Sequence, residues 1–277
     1  MQHKTVRHNA VQCGAVYAVR RGAVLCGAVR HNAVQCGVMR HNAALCGAVQ
    51  HNKAIGLISG VLMKVLITGT SRGIGRACAL KYLDMGHEVI GLDIRESTIS
   101  GSGAYTHFQA DITGDLPDID NVEILVNNAG VQEGGREIEV NLKGTIAVTE
   151  KYGITPAIRS IVFMASASAS NGAEFPLYAA SKGGVVTYMK NTALRVAPYG
   201  ATCNSISAGG VLTELNEHII KDAHLMQACL DETLLHRWAS PEEIAEWCYF
   251  LTNCNASMTG QDLLIDNGEQ LRSNFIW

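Results

Sequence analysis

Met63-Lys64-Val65-Leu66-Ile67-Thr68-Gly69-Thr70-Ser71-Arg72-Gly73-Ile74-Gly75-Arg76 is the stretch that decides how the rest of the chain is read. Val65-Leu66-Ile67 is an unbroken apolar run, as expected of a parallel strand covered on both faces. Three glycines follow, then a helical stretch from Arg76 to Met85 that Gly86 closes. His87-Glu88-Val89-Ile90-Gly91-Leu92-Asp93 reads as a second strand. A glycine triplet alone is an ordinary turn. Between a strand and a helix it is a pyrophosphate site, because the bare backbone approaches the phosphates and their charge meets a helix N-terminus. Gly69, Ser71, Arg72, Gly73, Ile74 and Gly75 are the candidate contacts. Asp93 stands 18 residues after Gly75, where an acid accepts hydrogen bonds from the adenosine ribose and repels a 2′-phosphate. Arg72 and Arg95 pull the other way, as phosphate partners. The acid's placement favours NAD and leaves NADP open.

A second constellation lies further along. Ile124-Leu125-Val126 is another apolar strand, followed by Asn127-Asn128-Ala129-Gly130. Ile161-Val162-Phe163-Met164-Ala165 is a buried strand ending in Ser166-Ala167-Ser168-Ala169-Ser170, and Tyr178-Ala179-Ala180-Ser181-Lys182 comes next. A spacing of four puts Tyr178 and Lys182 on one helix face, a turn apart. A phenol, with a reference pKa of about 10, is a poor base near neutrality. A neighbouring ammonium and the positive ring of an oxidised nicotinamide favour the phenolate. Tyr178 can then exchange a proton with a substrate hydroxyl or carbonyl. Tyr-x-x-x-Lys is common on amphipathic helices by chance. Behind a nucleotide turn it points to catalysis.

Together, T-G-x-x-x-G-x-G from Thr68, N-N-A-G from Asn127 and Y-x-x-x-K from Tyr178 resemble the short-chain dehydrogenase/reductase family, from about Lys64 to Gly268. The resemblance implies a single doubly wound α/β domain of Rossmann type with a parallel sheet. It implies hydride transfer between NAD(P)(H) and an alcohol/carbonyl pair, in a homo-oligomer (dimer or tetramer). Asp111 and Ile112 would touch the adenine, and Asn128, Ala129 and Gly130 would flank the cofactor beside Tyr178 and Lys182. Val140-Asn141-Leu142-Lys143-Gly144 resembles the helix whose active-site Asn holds, through its backbone, a water joining Lys182 to solvent. Ser166 takes the place of the serine that hydrogen-bonds the substrate oxygen. It lies 12 residues before Tyr178, one fewer than the family's common spacing, so Ser168 stays open as the alternative. Ala208-Gly209-Gly210-Val211-Leu212-Thr213 resembles the P-G-x-V-x-T segment packed on the nicotinamide. Gly209, Val211 and Thr213 are kept, and Ala208 replaces Pro. A nucleotide-sensing protein without turnover, on the same fold, is the alternative function, although it would have no use for Tyr178 and Lys182.

The chain also departs from the family. Few residues separate Asp111 from Asn127, too few for a full crossover helix, and Gly130 to Asn141 is compressed and polar. Residues 214–240, at the place of a mobile substrate lid, carry Leu215, Ile219, Ile220, Leu225, Met226 and Leu230 at roughly helical spacing, which predicts core or lid packing. His218, His224 and His236 read as surface residues. Ser240 and Pro241 open a helix as N-cap and N1. Leu263-Leu264-Ile265-Asp266 reads as a final strand, and Asp266-Asn267-Gly268 resembles the family's D-G-G ending. Cys78, Cys203, Cys229, Cys248 and Cys254 show no metal spacing and no secretory context, and read as buried reduced thiols of a cytoplasmic protein; no metal site is expected.

The whole chain of 277 residues is 47% hydrophobic and 17% charged with net charge −3, which excludes general disorder. That average joins two unlike parts. Residues 1–62 hold seven Lys/Arg and no acid (+7), whereas residues 63–277 hold the other 15 with all 25 Asp/Glu (−10). The first part is a decapeptide repeat, beginning at Arg7, Arg20, Arg30 and Arg40. Its period fits neither a heptad nor a solenoid. Three readings compete. His8, His31, His41 and His51 with Cys13, Cys26, Cys36 and Cys46 could bind metal, but at five-residue spacing unlike zinc sites. A cationic arm for nucleic acid or membrane lacks dense basic clusters, with Tyr17 alone to stack on bases. The favoured reading is the translation of a short tandem DNA repeat, with Met63 as the natural start. Neither nucleic acid nor membrane is expected as a partner, and no 18-residue apolar span exists.

Overall fold

The computed structural model describes residues 62–173 and 175–271. The repeat, and the readings that rest on residues 1–61, lie outside them. Seven strands make one parallel sheet in the order β3-β2-β1-β4-β5-β6-β7. They are β1 (Lys64–Thr68), β2 (Glu88–Asp93), β3 (Tyr105–Gln109), β4 (Ile124–Asn127), β5 (Ser160–Met164), β6 (Thr202–Ala208) and β7 (Asp262–Ile265). The order reverses between β1 and β4, which opens a crevice at the carboxyl ends of the strands. The expected doubly wound Rossmann-type domain is present.

The helices are α1 (Gly73–Asp84), α2 (138–153), α3 (Ser168–Asn171), α4 (Pro176–Val196), α5 (Glu217–Ile220), α6 (Ala223–Asp231) and α7 (Pro241–Tyr249). α2 is continuous but uneven: Ile138–Gly144 and Thr149–Gly153 carry i→i+5 bonding on either side of Thr145–Val148. Side-chain alternation divides the core. Val65 and Ile67 join Cys78, Tyr82 and Val89 on one face, while Leu66 joins Leu125, Ile161 and Phe163 on the other. Every residue of β4 and β5 is buried.

Element ends differ from the sequence reading by a few residues. α1 starts at Gly73 instead of Arg76, so two of the three glycines lie in its first turn. β2 starts after His87, whose buried ring accepts a hydrogen bond from Met63 N (3.2 Å). β5 runs from Ser160 and stops at Met164, and β6 continues to Ala208. β7 ends at Ile265 because the Asp266 carboxylate turns to cap Gly268 N and Gln270 N, each at 2.9 Å. The α7 start is as expected, with Ser240 and Glu243 closing a reciprocal cap.

Residues 110–123 contain no helix, as the short spacing predicts. Residues 94–104 contain none either, which the sequence reading did not anticipate. Leu116, Ile119 and Val122 cover the sheet in place of the first missing helix. The Tyr152 hydroxyl and Lys151 ammonium tie that segment to α2 by donating to the carbonyls of Pro117 and Leu116. The stretch 214–240 needs a correction. α5 and α6 bury none of their residues, and Leu215, Ile220 and Leu225 are exposed. Ile219, Met226 and Leu230 are half-buried, so the core alternative fails and the lid alternative stays open. His218, His224 and His236 are exposed as expected. Cys78, Cys203 and Cys248 are buried, but Cys229 is half-buried and Cys254 exposed; all five are free thiols. Among the described residues no helix is long and apolar enough to cross a membrane.

Candidate active site

The turn after β1 depends on its glycines. Gly69 and Gly73 have φ of 77° and 54°, a region that costs side-chain-bearing residues free energy. A Cβ on Gly75 would stand 2.0 Å from the Gly69 carbonyl oxygen and 2.4 Å from Asn128 Nδ2. The turn is stitched to the end of β4. Thr68 Oγ1 accepts from Asn128 N (2.9 Å) and Ala129 N (3.0 Å), and Asn128 Nδ2 donates to Thr68 O (2.9 Å). No side chain caps α1, so its first-turn N–H groups remain available to an anion. Ser71 Oγ is buried there without a hydrogen-bond partner. An uncapped helix N-terminus behind a turn whose Gly69 and Gly75 leave no room for a Cβ fits a pyrophosphate.

Asp93 follows at the end of β2. Its Oδ2 accepts from Ser71 N and its Oδ1 from Arg95 N, both at 2.9 Å. One acid thereby joins the glycine turn to Arg95. Beyond it, Asp111 accepts from Thr113 N (2.9 Å) and Thr113 Oγ1 (2.8 Å), with Arg136 at 3.5 Å. The Thr113 hydrogen bonds, then Arg136, hold its carboxyl below the usual range. Ile112 packs against Gly144, where a Cβ would come within 2.8 Å.

The opposite end of the crevice is built on β5 and α4. Pro176 at the first turn, after the extended Phe175, starts α4. Lys182 is buried, its Nζ donates to Met164 O (2.8 Å), and it lies 5.6 Å from the centre of the Tyr178 ring. Burial pulls its pKa down to about 8. Ser166 Oγ accepts from Ser168 Oγ (3.0 Å) and Ser168 N (3.3 Å). Both serines left open by the sequence therefore face the crevice as one bonded pair. Asn141 Oδ1 accepts from Val131 N (2.7 Å), while Nδ2 donates to Val131 O (2.8 Å) and Ser181 Oγ (3.0 Å). It sits in the first i→i+5 segment of α2, a geometry frequent at functional sites. Gly130 lies between: a Cβ on it would be 3.0 Å from Asn141 Oδ1 and 3.6 Å from Lys182 Nζ.

These parts surround one cleft of about 510 Å³. Gly69, Arg72, Gly73, Ile74, Asp93, Asp111, Ile112, Asn128, Ala129 and Gly130 line it, as do Ser166, Tyr178, Lys182, Gly209, Val211 and Thr213. Ser71, Gly75 and Asn141 do not line it. The sequence reading missed Cys229, Glu232, Trp238 and Glu269, which also line it. The Trp238 ring fills the space beside Gly210, where a Cβ would approach within 2.2 Å. Burial, then Glu269 and Glu232, pushes the Cys229 thiol upward. Only Glu269 had a legible signal, following directly on Asp266-Asn267-Gly268. Among the described residues no His/Cys/Asp/Glu group is arranged to hold a metal ion.

With this geometry the chain resembles proteins of known activity. A family profile described as enoyl-(acyl carrier protein) reductase matches residues 117–270. An NAD-dependent glycerol dehydrogenase of Listeria innocua is 31% identical over 242 residues, covering 75% of this chain and 93% of that protein. An L-rhamnose 1-dehydrogenase (NAD(P)(+)) of Azotobacter vinelandii is 26% identical over 74% of this chain and 95% of its own length. The ligand-free aldohexose dehydrogenase of Thermoplasma acidophilum superposes with a TM-score of 0.68 at 29% identity, covering 78% of this chain and 97% of that one.

Proposed function

Because the chain belongs to the short-chain dehydrogenase/reductase family, we propose that it interconverts an alcohol and a carbonyl compound with NAD as preferred cofactor, Tyr178 being the acid/base. One observation carries this: Lys182 and Tyr178 face the same cleft as the glycine turn, with the ammonium nitrogen 5.6 Å from the phenol ring. Asp93 at the ribose position supports NAD over NADP, and the NAD-dependent glycerol dehydrogenase relative agrees with it. The cofactor contacts are those expected from the sequence, with Ser71 and Gly75 shaping the phosphate turn from beneath.

The nicotinamide, when bound, supplies or takes the hydride. The chain's own residues hold the substrate and move the proton. Ser166, held by Ser168, hydrogen-bonds the reacting oxygen. In oxidation the Tyr178 phenolate takes the proton from that hydroxyl, and in reduction the phenol returns it. The Lys182 ammonium favours the phenolate. Asn141 orients Val131 and Ser181 behind the pair and supports the proton relay. The substrate is a small alcohol or carbonyl compound, as the names of the relatives suggest, and free thiols at all five described cysteines support a reducing, cytoplasmic setting. The family resemblance supports a homo-oligomer.

Tyr178→Phe tests the assignment through nicotinamide absorbance across a panel of alcohols, ketones and aldoses. Turnover should vanish while the cofactor Kd is kept; unchanged turnover would sink the role of Tyr178. Cofactor binding by the wild type with no turnover on any substrate would leave the nucleotide-sensing reading in its place.

A further inference from the structure

The connection from β2 to β3 has no helix, yet it carries Ile94 and Arg95, which line the cleft beside Asp93. Side chains of β3 hold it instead. His107 Nε2 lies 2.9 Å from Arg95 O, and His107 Nδ1 lies 3.0 Å from the Tyr105 hydroxyl. That hydroxyl is in turn 3.0 Å from Thr70 Oγ1, in the glycine turn. Gly91 makes the path: a Cβ there would stand 2.1 Å from Tyr105 Oη and 2.4 Å from Thr70 Oγ1. Gln109 adds a neighbouring tie, its Nε2 donating to Ile94 O (3.1 Å).

The donors follow from chemistry. A carbonyl only accepts, so His107 donates through Nε2. In the neutral ring Nδ1 then accepts, so Tyr105 donates to His107 and Thr70 donates to Tyr105. Arg95 is thus gripped on both sides of its backbone, its N–H by Asp93 (2.9 Å) and its carbonyl by His107 (2.9 Å). The same Asp93 carboxylate holds Ser71 N (2.9 Å). The Thr70–Tyr105–His107 chain and the Ser71–Asp93–Arg95 chain therefore start at adjacent residues of the glycine turn and meet at Arg95, on the wall of the cleft.

We propose that Tyr105 and His107 are positioning residues for cofactor choice: they fix Arg95 so that Asp93, and not the guanidinium, governs the ribose 2′ position. The inference rests on the proposed dinucleotide reading of the cleft. It implies that freeing Arg95 relaxes discrimination against a 2′-phosphate without disturbing Tyr178, Lys182 or the substrate end.

The test is a calorimetric titration of the full chain with NAD and with NADP, beside kcat at saturating NAD. His107→Ala should weaken NAD by about fivefold, the equivalent of one lost hydrogen bond. NADP affinity should hold or improve, and kcat should not change. His107→Gln, whose amide nitrogen can reach the Arg95 carbonyl as Nε2 does, should restore most of the preference. His107→Asn, which reaches only toward Tyr105, should not. An unchanged ratio of the two affinities in His107→Ala, or equal loss of both, would overturn the proposal. A loss of preference that His107→Gln fails to rescue would do the same. Failure of the wild type to bind either nucleotide would instead strike the proposed function itself.

Discussion

Lys182 is a cation that the fold holds in a costly place. Its ammonium donates to Met164 O, and burial brings its pKa from 10.5 to about 8. The unfolded chain keeps this proton up to its ordinary value, whereas the folded one loses it near 8. Between those pH values the unfolded state binds more protons, so this group makes stability rise with pH, by up to about 3 kcal/mol. Denaturant unfolding at pH 7.5 and pH 10 should show that rise in the wild type relative to Lys182→Met. Equal pH dependence of the two proteins would contradict it. The bonded serines offer a second measurement. Ser166→Ala should lower kcat/KM about 100-fold or more, as loss of a group that binds the reacting oxygen does. Ser168→Ala should cost less, because its hydroxyl acts through Ser166; the reverse ranking would make Ser168 the substrate contact. At this scale Tyr178 and Lys182 were legible from a spacing of four. The partner of Asn141 was not, since Val131 lies in an irregular loop that no periodicity marks.

Elements were legible where local pattern and tertiary packing agree. The apolar runs that became β1, β4 and β5 are fully or almost fully buried, and their assignments hold within a residue or two. The start of α1 was missed because Gly73-Ile74-Gly75 has low helix propensity, yet the phosphate turn needs the helix to begin there. Gly75→Ala should therefore disrupt folding or cofactor binding at the upper end of the ~1–3 kcal/mol cost of overpacked sites, or beyond it. Its clash is with the backbone oxygen of Gly69, which no rotamer change can relieve. Thermal melts with and without NAD would check it. The apolar residues of α5 and α6 left core and lid undivided, because periodicity reports a possible face, while a place in the core requires something to cover it. The segment 110–123 forms no helix and still covers the sheet, through its ties to α2. Tyr152→Phe, which removes one of those ties, should cost about 1 kcal/mol of stability.

For the whole molecule, residues 63–277 carry the acidic charge, and among the described residues they hold both core clusters and the cleft lining. We expect a chain beginning at Met63 to keep the kcat/KM and unfolding midpoint of the full chain; a large loss of either would show that the repeat takes part in the domain. The sheet order has a consequence for synthesis. β1 must finally sit between β2, which emerges soon after it, and β4, which emerges much later. Three strands can associate as they leave the ribosome, but one flank of the first strand stays bare until the fourth arrives. The cleft draws on residues from Gly69 to Glu269, so it exists only once both halves have joined. A bound nucleotide can therefore retain the finished fold by mass action, but it cannot recruit the strands that build it, and the growing chain passes its most aggregation-prone stage without that help.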